Sequence, residues 1–199
     1  MVSNGEYKSL MIDEFVASFE KLDEMYAFKD LDFVEWQFAV GEPDEHGGAA
    51  WRPRKVATLI EALDAVYSKL PARFPPLYEQ LLLSYRWAEV DLQSCRLLAN
   101  PMGSDFQGLI EEMSRDSAIW NALRPAGYKQ FGKGPDLNYD PVCFDIKSRK
   151  KKRECRIVQI DHEEILCNYK VKVVAELAPS FFELLQDTIT LASRAQGTR

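Results

Sequence analysis

Hydrophobic positions recur at helical spacing between Tyr7 and Lys29, where Leu10, Phe15, Phe19, Leu22 and Tyr26 alternate with carboxylates, and this predicts an amphipathic helix. The run Leu31 to Val40, with Trp36 and Phe38, is too short for its period to separate a strand from a helical turn. Gly41 to Pro53, with Pro43, Gly47 and Gly48, predicts a loop. A second helix is expected through Val56, Leu59, Ile60, Leu63, Val66, Tyr67 and Leu70, stopped by Pro71. Pro75 and Pro76 open a third, Leu77 to Trp87, because proline at the first helical position forfeits no internal hydrogen bond. Val90, Leu92 and Cys95, leading into Arg96, Leu97 and Leu98, predict an extended stretch or hairpin ending at Asn100-Pro101. Helical spacing returns at Phe106, Leu109, Ile110 and Met113, and again at Ile119, Trp120 and Leu123.

Beyond Gly127 the pattern changes to short apolar runs between turn residues: Tyr128–Phe131, Val142–Ile146, Cys155–Ile160, Glu164–Cys167 and Val171–Ala175. These predict an antiparallel meander. Pro179 then starts a final helix whose buried side is Phe181, Phe182, Leu184, Leu185, Ile189 and Leu191. Helices followed by consecutive strands imply an α+β fold: a single domain in which helices clasp a twisted, mainly antiparallel sheet. The expected division is an acidic N-terminal helical extension over 1–50, packed on an α+β domain over 51–199. The free side of the sheet is expected to serve as a docking platform.

Charge sharpens this picture. The 199 residues carry a net charge of -6, which disfavours a nucleic-acid or anionic-membrane partner. The imbalance lies in residues 1–50, which hold 12 acids and 3 bases, so an acidic arm meets a nearly neutral body and favours a basic partner. Apolar stretches fall short of the roughly 20 residues a membrane span needs, and Glu6 and Lys8 stand where a signal peptide would need a basic patch followed by an apolar run. A cytoplasmic location is expected. The four cysteines, Cys95, Cys143, Cys155 and Cys167, lack the pairing of a metal knuckle and are expected as reduced thiols.

Four stretches resemble the SUKH superfamily of fungal cell-wall-synthesis regulators and bacterial immunity proteins: Pro75–Leu82 (PPLYEQLL), Gly127–Gly132 (GYKQFG), Tyr139–Asp145 (YDPVCFD) and Pro179–Leu185 (PSFFELL). Ile157–Leu166 (IVQIDHEEIL) supplies the strand and turn between the last two. The resemblance spans about Trp51 to Ile189. The chain departs from the pattern where Arg86-Trp87-Ala88 replaces an Asn-Gly turn, and in its long acidic N-terminal segment. What the resemblance implies is a single α+β domain whose usual role is protein binding.

Candidate chemistry is sparse. Asp161-His162-Glu163-Glu164 could bind a metal or move a proton, but its spacing differs from the helical zinc motif, and a polar turn is the simpler reading. Cys143 with His162, oriented by Asp145 or Asp161, could form a thiol-imidazole pair. Strand parity places Cys143 and Asp145 on the face opposite Val142, Phe144 and Ile146, which favours a packed or partner-facing thiol. The basic run Lys147–Arg153 is expected as a solvated hairpin tip, and Gly132-Lys133-Gly134 lacks the spacing of a phosphate cradle. Tyr128, Phe131, Tyr139 and Asp140 mix aromatics with carboxylate as interfaces do, although core packing is equally open to the aromatics nearest the sheet. Trp51 is either an exposed anchor or a cap on the second helix.

Together these readings make the chain a non-enzymatic protein-binding module without cofactor or metal. Its most concrete form is an immunity protein covering a basic toxin domain, acting as a monomer or weak homodimer. Tyr128, Phe131, Tyr139, Asp140, Asp145, Asp161, His162, Glu163 and Trp51 are the expected partner-binding residues. A regulatory scaffold role and a Cys143–His162 hydrolase are the alternatives.

Overall fold

In the second half of the chain, successive apolar residues must leave a strand on opposite sides, so each strand can feed two cores at once. The computed structural model describes residues 4–70, 72–103, 105–135, 138–149 and 154–196. Its elements in chain order are α1 (Asn4–Ala17), α2 (Phe19–Leu22), β1 (Tyr26–Phe28), α3 (Phe33–Trp36), β2 (Gly48–Ala50) and β3 (Arg54–Lys55). A 3-10 turn at Ile60–Leu63 leads into α4 (Asp64–Lys69), α5 (Pro76–Ser84), β4 (Tyr85–Arg86), β5 (Val90–Asp91) and β6 (Arg96–Leu97). Then come α6 (Gln107–Ser114), α7 (Ser117–Leu123), β7 (Tyr128–Lys133), β8 (Pro141–Asp145), β9 (Ile157–Ile160), α8 (His162–Asn168), β10 (Val173–Ala178) and α9 (Phe181–Gln196).

Strands β5 to β10 form a six-stranded sheet in the order β10-β9-β8-β7-β6-β5, and every neighbouring pair is antiparallel. This is the α+β meander the apolar pattern predicts. At its centre β8 is buried at all five positions, because both faces are covered. Val142 and Phe144 enter the main core with Phe131, Ile157, Tyr78 and Phe181, whereas Cys143 joins Val158, Ile160, Ile119 of α7 and Ile165 of α8. Parity correctly sends Cys143 to the second face. That face is nevertheless no open platform at the centre of the sheet, since α7 and α8 lie on it.

The main core is organised by aromatic rings. Phe131 and Phe144 stack with centroids 4.2 Å apart, Phe181 stands edge-on to Phe144 at 5.8 Å, and Tyr78 lies 5.1 Å from Phe144 and 5.0 Å from Phe74. Two helices bring those rings in. In α5, Pro76 occupies the first turn, and Leu77, Tyr78, Leu81 and Leu82 turn inward. Helix α9 begins at a Ser180–Glu183 capping pair and buries Phe181, Leu184, Leu185, Thr188 and Ala192.

Residues 1–50 are expected as an extension packed on the domain, and Phe15 and Phe19 are fully buried in this same core. Phe15 meets Phe19 at 5.1 Å and Phe181 at 6.3 Å. The expected single helix over Tyr7–Lys29 breaks into α1 and α2 and then turns extended as β1. Its inward face is Met11, Ile12, Phe15, Val16 and Phe19, so Leu10 points out at 60% exposure. The segment expected as a loop, Gly41 to Pro53, contains β2, whose Gly48, Ala49 and Ala50 register against Phe28, Ala27 and Tyr26. The small residues of β2, with Gly48 under the Tyr26 ring, and Gly47 at φ +77 permit that close pairing, a signal easily mistaken for loop composition.

Two other expectations change. The second helix covers only Asp64–Lys69 after its 3-10 turn, because β3 pairs with β4 and the chain continues extended, with Val56 and Thr58 donating to Ser84 and Leu83 carbonyls. Leu59 and Ile60 are left exposed as a result. Glu164–Cys167, expected as a strand, lies in α8: the Asp161 carboxylate accepts from the Glu164 amide, and Glu163 and Glu164 fill an acidic first turn that favours the helix dipole.

The aromatic cage makes a stability prediction. Phe131→Ala should cost about 3–5 kcal/mol in denaturant unfolding. Tyr78→Phe should be neutral or stabilising, because the Tyr78 hydroxyl is fully buried with no hydrogen-bond partner among the described residues.

Candidate functional site

The turn from β7 into β8 and the start of α8 meet at one corner of the sheet. Asp140, just before β8, organises it. Its carboxylate accepts from the His162 amide at 3.0 Å, the His162 Nδ1 at 2.7 Å, Gln159 Nε2 at 2.8 Å and Asn138 Nδ2 at 3.3 Å. Its carbonyl accepts from the Gly134 amide and closes the turn. Partial burial pushes the Asp140 carboxyl up, but the His162 amide and ring together with Gln159 and Asn138 outweigh it and hold the group below its ordinary range. With Nδ1 of His162 committed to this carboxylate, Nε2 is the ring nitrogen left for a partner.

Next to Asp140, Tyr139 is 58% exposed. The Arg96 guanidinium lies 5.8 Å from its ring centroid and also pairs with Glu89 at 3.4 Å. Lys133 Nζ reaches the other oxygen of Glu89 at 2.5 Å. Tyr139 and His162 line a cleft of about 400 Å³ together with Ile119, Gln130, Lys133 and Leu166. The arrangement is an exposed aromatic ring and an imidazole on a corner braced by hydrogen bonds, which suits recognition of a polar surface around an apolar contact.

Of the expected partner-binding residues, the structure thus gathers Tyr139, Asp140 and His162. Glu163 is exposed in the first turn of α8, and Asp161 caps that helix and pairs with Lys172 at 3.4 Å. Tyr128 is half-buried on the second core, with the Lys147 ammonium 6.0 Å from its ring. Three residues are corrected. Trp51 is 2% exposed and packs on Phe38 at 6.1 Å, neither an anchor at the surface nor a helix cap. Phe131 belongs to the aromatic cage. Asp145 is 2% exposed and is spent on Arg156 at 2.9 Å and on the Lys147 amide.

The Cys143–His162 pair is not formed. Cys143 is fully buried among apolar side chains, and desolvation, aided by the nearby Asp145 charge, pushes its thiol well above the ordinary range. The His162 ring turns to Asp140 instead. Among the described residues no cluster of three His, Cys, Asp or Glu side chains could hold a metal ion. Gly132 has a packing role, since a Cβ there would come within 2.7 Å of the Arg96 carbonyl. Of the basic run, Lys147 and Ser148 complete a 3-10 turn and Arg149 donates to the Arg73 carbonyl, while Lys150 to Arg153 lie outside the described residues.

Two buried cations escaped the sequence reading. Lys129 is 1% exposed, with its ammonium 4.7 Å from the Phe74 centroid and 5.5 Å from that of Tyr67. Arg86 is also 1% exposed. It donates to the Leu82, Tyr85 and Gly103 carbonyls and to Thr58 Oγ1, and stacks 4.5 Å from the Phe106 centroid. Charged residues carry no apolar period, so only the fold reveals that both are inside.

Comparison with protein-family models, with curated proteins and with solved structures finds no match to this chain. Nor is any helix of the described residues long and apolar enough to cross a membrane.

Two measurements check this site. In the folded protein a thiol-reactive dye should titrate Cys167 quickly and leave Cys95, Cys143 and Cys155 protected until unfolding, because only Cys167 is exposed. Asp140→Ala should destabilise the fold by about 1–3 kcal/mol near neutral pH, read by chemical denaturation. Because the Asp140 carboxyl is depressed in the folded state, its contribution is present above its unfolded pKa and is lost as pH falls through the folded one; the gap between variant and parent should close in acid.

Proposed function

We propose that the chain is a protein-binding module of the immunity type implied by the SUKH resemblance, acting in the cytoplasm to cover a basic protein such as a toxin domain. The observation that carries this reading is Tyr139: an exposed aromatic ring held over Arg96 on a corner whose hydrogen bonds are already made. A large ring fixed before encounter loses little entropy on binding, and such residues supply most of the energy of small interfaces. The carboxylates, densest in residues 1–50, add long-range attraction for a basic partner.

The hydrolase alternative loses its nucleophile with the burial of Cys143. A nuclease toxin would fit the charge best, since its substrate groove is basic.

The test is co-purification from the native cell, with mass spectrometry to identify the bound protein and surface-coupled kinetics to measure it. Association should slow as salt rises. Tyr139→Ala should weaken binding by about 2 kcal/mol, close to thirtyfold, with an unchanged thermal midpoint. Failure of any protein to co-purify, or an affinity indifferent to Tyr139, would overturn the proposal.

A further inference from the structure

The Tyr139 cleft does not stand alone. A second hollow of about 540 Å³ lies between α3 and α6, lined by Phe33, Val34, Pro101 and Met102 among others, and it shares Glu112 and Arg115 with the cleft. A third, of about 510 Å³, lies over the 56–62 segment, extended at first and then entering the 3-10 turn, beside Arg86 and Gly103, and shares Met102 with the second. The three therefore adjoin in series. Helix α6 forms one wall through Gln107, Gly108, Glu111 and Glu112, a single helical face, while Leu109, Ile110 and Met113 turn into the core.

Large apolar side chains stand in the open along this line. Phe33 is 80% exposed, Leu59 77%, Leu166 45% and Met102 44%, in addition to Tyr139. Single exposed apolar residues are ordinary on protein surfaces, whereas residues lining consecutive hollows mark an interaction surface. The borders are acidic. Glu61, Asp105, Glu111 and Asp116 line the hollows, while the cations present are already engaged: Arg115 with Glu112, Lys133 with Glu89, and Arg86 with the carbonyls and hydroxyl that take all its donors. On α3, partial burial and the charges of Asp32, Glu89 and Glu112 push the Glu35 carboxyl up, an internal sign of the same negative field.

We propose that these hollows form one groove for a basic polypeptide segment carrying bulky apolar side chains, which enter at Leu59–Met102, Phe33–Met102 and Tyr139–Leu166 while its cations meet the bordering carboxylates. The inference rests on the protein-binding reading above and specifies its surface and the chemistry of its partner. It moves the contact away from the sheet face, onto α3, α6 and the 56–62 segment.

The test titrates the isotope-labelled full chain with three synthetic peptides of about 18 residues, five helical turns. One alternates Lys with Leu and Phe in an amphipathic pattern, one carries Glu in place of Lys, and one carries Ser in place of the apolar residues. The first should shift backbone resonances of residues 56–62, 101–103 and 107–115, the second none of them, and the third only weakly and at low salt. Phe33→Ser and Met102→Ser should each weaken the first peptide by about tenfold with unchanged thermal midpoints, as expected for exposed side chains. Shifts confined to Tyr139, His162 and Leu166 would overturn the extended groove yet leave the protein-binding reading standing. Equal binding of the acidic peptide, or no shift with any peptide, would overturn the inference, whereas failure of the binding reading itself is read separately from co-purification and Tyr139→Ala.

Discussion

The packing of Phe131 on Phe144, with Phe181, Tyr78 and Phe74 standing around them, is the contact on which the other elements converge. Each ring comes from a different part of the chain: β7, β8, α9, α5 and the segment before α5. Aromatic rings bury large area and prefer defined edge-to-face angles, so this cluster fixes where the helices lie on the sheet as well as how strongly they hold. Phe15 ties the N-terminal helix to the same cluster through Phe181, which makes the acidic first segment part of the core.

Covering both faces of the sheet has a functional consequence. The inner face receives α5 and α9, with α1 packed on those helices, and the outer face at β8 receives α7 and α8, so no broad sheet surface is free there to dock a partner. Exposed aromatic and apolar side chains stand instead at the corner where Asp140 joins β8 to α8 and on the flank beside α6. The same covering removes Cys143 from chemistry, because a thiol enclosed by Ile119, Val158 and Ile165 cannot ionise readily.

Much of this was legible in residue patterns. Pro75-Pro76 and Pro179 announce α5 and α9, and Tyr128–Phe131, Val142–Ile146 and Cys155–Ile160 announce the central strands. Short elements were harder. Helix α8 buries only Ile165, so its apolar period is nearly silent and its Asp161 cap carries the signal. The β1–β2 and β3–β4 pairings are only two or three residues long and their partners are distant in sequence, and local periodicity has no access to such hydrogen bonds.

For this protein, residue order alone determines the α+β class, the meander and the side of the strand to which Cys143 points, because each follows from local spacing of apolar groups. Tertiary structure alone decided that Trp51, Phe131 and Asp145 are enclosed, that Arg86 and Lys129 are buried cations, and that Tyr139 meets His162 at one cleft. Those outcomes depend on which distant surfaces come to cover a residue, and burial of that kind is a property of packing that no stretch of chain encodes by itself.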